Sequence, residues 1–254
     1  MNRPQRTAVV TGGARRIGRA IVEDLAAHGW AVAIHSNTSR DEADALAASI
    51  VAAGGTAATV TGDLADLTAA SRIIAQAADA LGPLSLLVNN ASIFEEDHVG
   101  TLTPAQFNRQ MTINFASPVF LTQAFAERLG DDGEGCVVNL TDQRALRTAP
   151  TYFSYQMSKS ALWTATRTMA QALAPRIRVN AIAPGPVLRN VLQPPDYFEA
   201  QTSHLPLGQG PELSEFGRTV RYLVENRSVT GQMIALDGGQ HLVWETPDMA
   251  DFEL

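Results

Sequence analysis

The sequence is poor in cysteine and in positive charge, and it has no long apolar run. One cysteine, Cys136, excludes an internal disulfide and a multi-cysteine zinc site, which is typical of a reducing compartment. Lysine and arginine number 19 against 26 acidic residues, a net charge of -7, which argues against nucleic-acid binding. No apolar run reaches the roughly 18 residues of a membrane span, and the N-terminal run is too short for a signal peptide. We therefore predict a cytoplasmic protein without a membrane partner.

Histidine and lysine are informative through their positions rather than through their numbers. The five histidines have no metal-ligand spacing, so we predict no metal. Lys159 is the only lysine beside 18 arginines, so a composition that avoids lysine elsewhere has one at this position. A role that needs a compact point charge is one that arginine cannot fill.

Short β-branched segments alternate with longer segments of helical period. This order predicts βαβ units around a parallel sheet, a doubly wound α/β fold with helices on both faces. Ser39 with Glu42 predicts a capping box, and Thr103 with Pro104 predicts an N-cap followed by a first-turn proline. We expect one domain over residues 1–254, with a substrate-covering loop at about 189–212. The seven predicted strands are Thr7 to Val10, Ala31 to Ser36, Thr56 to Thr61, Leu84 to Asn89, Gly135 to Leu140, Ile177 to Ala183 and Gln232 to Leu236.

A glycine-rich turn, Thr11 to Gly18 (TGGARRIG), follows the first predicted strand. Such a turn places backbone N–H groups and a helix N-terminus where a pyrophosphate binds, although a tight βα turn without a ligand is the alternative. The second strand ends in His-Ser-Asn-Thr-Ser without the carboxylate that would bind the ribose of NAD. Together with Arg15 in the turn, this favours NADP over NAD, unless Arg15 is only a solvated surface cation.

Tyr155 and Lys159 are four residues apart, which places both on one face of a helix. We expect the ammonium to lower the pKa of the tyrosine from about 10 toward neutral pH, as suits acid–base chemistry on a carbonyl, alcohol or imine. The alternative is an exposed lysine near an interfacial tyrosine.

The order and spacing of these motifs over nearly the whole chain resemble those of the short-chain dehydrogenase/reductase family, which has a Rossmann fold. The motifs are the glycine turn, Asn89-Asn90-Ala91, Asn114, Tyr155-x-x-x-Lys159, Pro184-Gly185 and Asp237-Gly238-Gly239. The resemblance implies a catalytic set of Asn114, Tyr155 and Lys159, and a homotetramer. It also implies NADPH/NADP bound by Gly12, Arg15, Arg16, Ile17, Gly18, His35, Asn37, Ser39, Asp63, Leu64, Asn89, Ala91, Ser92, Tyr155, Lys159, Pro184, Gly185 and Val187.

At three positions the sequence departs from the general family pattern and resembles the pteridine reductase branch, which includes dihydromonapterin reductases. Arg16 replaces a glycine, Ser92 replaces the glycine of Asn-Asn-Ala-Gly, and Asp142 replaces the catalytic serine. Phe94 follows Ser92 by two residues, as in that branch, and could stack on a flat pterin. Core packing for Phe94, loop capping for Asp142 and phosphate binding alone for Arg16 are the alternatives. The predicted substrate-binding residues are Arg16, Ser92, Phe94, Asp142 and Tyr155, with Asp142 also catalytic.

The resemblance therefore implies an NADPH-dependent reductase of a dihydropterin. The first alternative is a short-chain reductase of an ordinary ketone, such as a 3-oxoacyl thioester or a sugar. The replacement of the usual serine by Asp142 argues against this alternative. A non-catalytic NADP-binding scaffold is the second, and the complete Asn114, Tyr155 and Lys159 set speaks against that. Arg189, at a position where the family often has threonine, leaves the substrate loop without a match.

Overall fold

The computed structural model describes residues 6–129, 133–189 and 195–244. These form a seven-stranded parallel sheet in the order β3-β2-β1-β4-β5-β6-β7, so the predicted doubly wound α/β fold is confirmed. The strands are β1 Thr7–Val10, β2 Ala31–Ser36, β3 Thr56–Thr61, β4 Leu86–Asn89, β5 Gly135–Leu140, β6 Ile177–Pro184 and β7 Met233–Leu236. The helices are α1 Arg16–Ala27, α2 Arg40–Ala52, α3 Ala69–Leu81, α4 Pro104–Met111, α5 Ser117–Leu129, α6 Phe153–Leu173, α7 Pro195–Ser203 and α8 Leu213–Glu225.

The sheet is covered on both faces, which is why its strands are apolar without alternation. Successive side chains of a strand point to opposite faces, so Val9 and Val10 enter different cores. One core includes residues of α1, α2 and α8, and the other includes residues of α3, α5 and α6. The strand order reverses between β1 and β4, and a ligand cleft is expected beyond the carboxyl ends of the strands at that point.

Two local predictions had different outcomes. The Thr103 side chain accepts a hydrogen bond from the backbone N–H of Gln106, so the predicted N-cap of α4 is confirmed. The capping box of Ser39 and Glu42 is wrong, because the Ser39 side chain makes no capping bond and the Glu42 carboxylate pairs with Arg15 instead. The Glu42 side chain therefore links α2 to the glycine turn instead of closing a capping box with Ser39.

The predicted loop at 189–212 is partly helical, because α7 lies within it. Residues 190–194 lie outside the described part of the chain. The end of this segment packs on the residues after β7, where Leu207 donates its backbone N–H to the carbonyl of Gly238 at 3.0 Å. Within the described residues, no helix is long and apolar enough to cross a membrane.

Candidate active site

The glycine turn after β1 is closed too tightly for side chains at two of its positions. Gly12 has a φ of +60°, in the region that favours glycine. A Cβ on Gly18 would lie 2.2 Å from the carbonyl oxygen of Gly12 and 2.6 Å from Nδ2 of Asn90. The turn therefore brings backbone, rather than side chains, to the start of α1, where the first N–H groups of the helix are available to a phosphate.

His35, at the end of β2, supports this turn from beneath. Its Nδ1 accepts the backbone N–H of Gly12 at 3.3 Å, and its Nε2 lies 3.0 Å from the carbonyl of Gly62. Accepting at Nδ1 and donating at Nε2 describes a neutral imidazole, and burial lowers the pKa of His35 in agreement with that state. His35 was predicted to bind the cofactor, and in the structure it braces the turn.

A cleft of about 520 Å³ extends from the glycine turn across the ends of β2 and β3. The buried hydroxyl of Ser36 has no hydrogen-bond partner among the described residues, and it lies at the end of β2 where a ribose or its phosphate would bind. The cleft therefore fits a dinucleotide, because it offers backbone N–H groups at the glycine turn and an unpaired hydroxyl at Ser36. Its lining includes the predicted residues Gly12, Arg15, Arg16, Ile17, Gly18, His35, Asn37, Ser39, Asp63, Leu64, Ala91 and Ser92.

Arg15 and Arg16 occupy different positions around this cleft. Arg15 is mainly exposed and forms an ion pair with Glu42 on α2. Arg16 has a φ of +52°, at the position where the family usually has glycine. For a residue with a side chain, this conformation costs about 1 to 2 kcal/mol. The Arg16 guanidinium donates to the carbonyl of Leu188 at 3.1 Å, which joins the turn to the start of the 189–212 segment.

A second cavity, of about 450 Å³, adjoins the cleft and shares Arg16 with it. The turn after β6 forms one wall with Pro184, Gly185 and Val187, and α7 contributes Phe198 and Gln201. Asp142, Tyr155 and Lys159 also line this cavity. Three of the four predicted catalytic residues therefore meet at the carboxyl edge of the sheet, and Asn114 does not line this cavity.

Helix α6 positions Tyr155 and Lys159, the predicted catalytic pair, as their i, i+4 spacing predicts. Tyr155 lies in the first turn of α6 and donates its hydroxyl to Oδ2 of Asp142 at 2.9 Å. Lys159 is buried and donates its ammonium to the carbonyl of Leu140, the last residue of β5, at 2.7 Å. The predicted hydrogen bond between Asp142 and Tyr155 is thus present, and the lysine is fixed by backbone.

Burial dominates the electrostatics of these three residues. It raises the pKa of Asp142 above its ordinary value, against the opposing effects of the Arg144 N–H and charge. Burial also lowers the pKa of Lys159 to about 8. The pKa of Tyr155 lies well above its ordinary value, because burial and then the negative charge of Asp142 disfavour the phenolate. The prediction that Lys159 lowers the pKa of this tyrosine is therefore wrong, and the phenol keeps its proton.

The Asp142 carboxyl satisfies both interpretations given to it from the sequence. Oδ1 accepts the backbone N–H of Arg144 at 2.8 Å and so caps the short 3-10 turn Gln143–Ala145, while Oδ2 accepts the phenol of Tyr155. Capping fixes the carboxyl in the orientation in which its other oxygen meets the tyrosine. Loop capping and contact with the catalytic residue are therefore parts of one arrangement.

Phe94 lies at the cavity and outside both cores, since 42% of it is exposed. Its ring stacks on Tyr152 with centroids 4.1 Å apart and meets the Tyr155 ring edge to face at 4.6 Å. Tyr152 has a φ of +55° and forms the N-terminus of α6. The core-packing alternative for Phe94 is wrong, and the stacking partner that the sequence did not reveal is Tyr152.

Asn89 and Asn114, which the resemblance implies bind the cofactor and take part in catalysis, both make buried hydrogen bonds within the protein. Asn89 turns its side chain inward, where its Nδ2 donates to Oδ1 of Asn139 at 2.9 Å, and Asn90 lines the cleft in its place. Asn114 is buried in a π-helical turn, where it accepts the N–H of Ile93 at 2.9 Å. Asn114 therefore holds the strand-end segment that carries Ser92 and Phe94, and its catalytic role stays a prediction.

Several residues of the site have no motif in the sequence that would have revealed them. Gln143 and Arg144 directly follow Asp142, so proximity to a catalytic residue was the one available signal. Phe198, Gln201 and Gln240 come to the cavity from segments whose course the sequence does not specify. Among the residues that the structure describes, no group of histidine, cysteine, aspartate or glutamate could hold a metal ion.

Comparison with known proteins agrees with this geometry. The family model described as enoyl-(acyl carrier protein) reductase matches residues 12–241. The crystal structure of FolM alternative dihydrofolate reductase 1 from Brucella suis, in complex with NADP, is 58% identical with a TM-score of 0.94, covering 96% of this chain and 98% of that one. The Brucella canis structure, also complexed with NADP, is 57% identical with a TM-score of 0.94, covering 96% and 97%.

A more distant relative widens the comparison. L-rhamnose 1-dehydrogenase (NAD(P)(+)) from Azotobacter vinelandii (strain DJ / ATCC BAA-1303) is 32% identical over an alignment of 245 residues that covers 92% of this chain and 96% of that protein. Similarity over nearly the full length, together with the Tyr155 and Lys159 geometry on α6, has one explanation. The chain belongs to the short-chain dehydrogenase/reductase family of oxidoreductases, in its pteridine reductase branch.

Proposed function

We propose that the protein is an NADPH-dependent reductase of a dihydropterin, of the dihydromonapterin, dihydrobiopterin or dihydrofolate type. The observation that carries the proposal is the 2.9 Å hydrogen bond between Tyr155 and Asp142 at the wall of the cavity. Reduction of a ring C=N bond needs a proton for nitrogen, and a carboxyl with a raised pKa beside a phenol can supply one. Serine, which the family generally has at this position, cannot.

The cofactor supplies the hydride, and the chain supplies its binding surface. We assign the pyrophosphate to the turn Gly12 to Gly18 and the adenosine half to the cleft lined by Ser36 and Asp63. The absence of a carboxylate at the end of β2, with Arg15 nearby, supports a 2'-phosphate and hence NADP over NAD. The NADP in both Brucella structures supports the same assignment.

Proton delivery then follows from the two protonation states of Asp142. When the carboxyl is ionised, the phenol of Tyr155 donates to it, as in the structure. When the carboxyl is protonated, it can donate to the phenolic oxygen, and the phenol proton becomes available to the substrate nitrogen. The raised pKa of Tyr155 suits this reaction, because the residue must hold its proton until the nitrogen takes it.

The test is turnover with NADPH and a panel of substrates, followed by the loss of NADPH absorbance. We expect turnover of 7,8-dihydropterins or dihydrofolate in preference to a 3-oxoacyl thioester or a keto sugar. Tyr155→Phe serves as the control, since it removes the phenol proton and should remove turnover. Preference for a ketone would show an ordinary ketoreductase, and NADPH binding without turnover of any substrate would show a binding scaffold.

A further inference from the structure

The short turn after Asp142 carries two buried polar atoms that have no partner. Nη1 of Arg144 and Oε1 of Gln143 are both inaccessible to solvent and make no hydrogen bond within the described residues. Both residues line the substrate cavity. A buried guanidinium N–H and a buried amide oxygen without partners are both unfavourable, so a native protein keeps such groups where a ligand satisfies them.

Arg144 lies beside an aromatic pair. Its Cζ is 5.3 Å from the centroid of Phe94 and 4.9 Å from that of Tyr152, and the two centroids are 4.1 Å apart. A group on the outer face of either ring would be much farther from the other ring. The guanidinium therefore flanks the stack at its edge.

The lining of the cavity is positively charged overall, which favours an anionic ligand. Of its described lining residues, Arg16, Lys159 and Arg144 are basic, and Asp142 is acidic. Arg16 donates to Leu188 and Lys159 donates to Leu140, so these cations have backbone partners. Arg144 keeps a buried N–H free, and a carboxylate is the strongest partner for a guanidinium.

The Gln143 oxygen, the Arg144 guanidinium and the aromatic stack together complement one kind of substituent. An aroyl amino acid presents an aromatic ring, then an amide N–H, then a carboxylate on the next carbon. On the basis of the proposed pterin reduction, we propose that Gln143 and Arg144 form a subsite for such a tail. The guanidinium binds the α-carboxylate, the Gln143 oxygen accepts the amide N–H, and the Phe94–Tyr152 stack contacts the aryl ring. This subsite selects dihydrofolate over dihydropterins that have a neutral side chain.

The first experiment compares kcat/KM for dihydrofolate with kcat/KM for dihydrobiopterin, which shares the ring and lacks the tail. We expect Arg144→Gln to lower the ratio of the two values about tenfold or more, mainly through the KM of dihydrofolate. Arg144→Lys should fall between, because it keeps the charge and loses the planar fork. Arg147→Gln is the matched control, since Arg147 is exposed and does not line the cavity.

The ratio separates tail binding from effects on proton transfer. Arg144 also faces Asp142 and Tyr155, so its loss changes turnover of both substrates, and this shared effect cancels in the ratio. A wild-type enzyme without preference for dihydrofolate, or an equal loss on both substrates in Arg144→Gln, would overturn the proposal. Thermal melting and NADPH affinity verify that each variant is folded.

The second experiment does not depend on turnover. Calorimetry on the enzyme with NADP+ measures binding of N-(4-aminobenzoyl)glutamate and of its uncharged diamide. We expect the acid to bind the wild type at least tenfold more tightly than the diamide, and Arg144→Gln to remove that difference. If pterins are not reduced and the acid still binds in this way, the proposed function fails and the subsite stands. If pterins are reduced and the acid and the diamide bind equally, the subsite fails and the proposed function stands.

Discussion

The cofactor cleft and the substrate cavity differ in the groups that line them. The cofactor cleft consists of backbone at the glycine turn and of side chains such as Arg15, whose side chain is 60% exposed. The substrate cavity consists of side chains brought from β5, α6 and α7, and in Asp142, Tyr155 and Lys159 burial is the largest cause of a shifted pKa. We therefore expect substitutions in the cleft to change affinity and substitutions in the cavity to change chemistry.

The largest expected effect is that of Asp142→Ser, which restores the general family residue. It should lower kcat on a dihydropterin by about 10² or more and leave NADPH affinity within about twofold, because a general acid is lost and the cleft is untouched. Steady-state kinetics and a cofactor titration on both proteins measure this. Unchanged turnover would mean that the Asp142 carboxyl only caps the turn Gln143–Ala145.

The pH dependence sharpens the same distinction. In the proposed mechanism turnover needs the protonated Asp142 carboxyl, so kcat should be constant at low pH and fall as pH rises through the raised pKa of this group, by about tenfold per unit. A further change is expected near pH 8, where Lys159 loses its proton. In Asp142→Ser the first decline should be absent and the second retained. Identical pH profiles for the two proteins would exclude Asp142 as the titrating acid.

A substitution in the cleft should act on affinity alone. Arg15→Ala is expected to weaken NADPH binding by about 1 to 3 kcal/mol and to leave NADH nearly unchanged, because its guanidinium is assigned to the 2'-phosphate. Glu42→Gln is the matched control, since it frees Arg15 from its ion pair and should bind NADPH at least as tightly as the wild type. Equal losses for NADPH and NADH in Arg15→Ala would refute the assignment.

Arg16 lines both the cleft and the cavity, and its backbone provides a smaller, separate test. Arg16→Gly should raise the free energy of unfolding by up to about 1 kcal/mol, because glycine adopts a positive φ without strain. Arg19→Gly, one turn into α1, is the opposite control and should lower it by about 1 kcal/mol. Urea denaturation of both variants gives the comparison. A destabilised Arg16→Gly would show that the contacts of its side chain outweigh the strain.

The smallest effect on the cleft and the cavity is expected from assembly, which concerns a different set of side chains on α5 and α6. Ala161, Trp163 and Ala165 of α6 are half-buried in the single chain, and Phe120 on α5 is 42% exposed. We propose that a homotetramer covers this apolar face. Sedimentation equilibrium at micromolar concentration should give about four times 27.2 kDa, and a stable monomer would contradict the proposal.

Sequence patterns predicted the architecture well because apolar periodicity and glycine turns are local signals. The strands and the α6 placement of Tyr155 and Lys159 follow from them, with strand ends differing by a residue or two. Interactions between distant segments were not predictable in this way. Glu42 pairs with Arg15 across 27 residues, and the side chain of Asn89 enters a buried network with Asn139.

The error about Tyr155 has a different origin. The sequence shows that a cation lies one helical turn away, and it does not show how far each group is removed from water. Desolvation opposes the charged form of every ionisable group, and here burial, followed by the negative charge of Asp142, keeps the pKa of Tyr155 well above its ordinary value. Energetic quantities of this kind depend on burial, which is a property of the complete fold.

Arg16 forms part of the wall between the cofactor cleft and the substrate cavity. Any ligand contact that reorients its side chain changes both spaces at once, which couples the two binding equilibria. By thermodynamic reciprocity, the factor by which bound cofactor changes the affinity for substrate equals the factor by which bound substrate changes the affinity for cofactor. We therefore expect Arg16 to contribute to a coupling free energy between the two sites, at a position where a glycine could contribute none through a side chain.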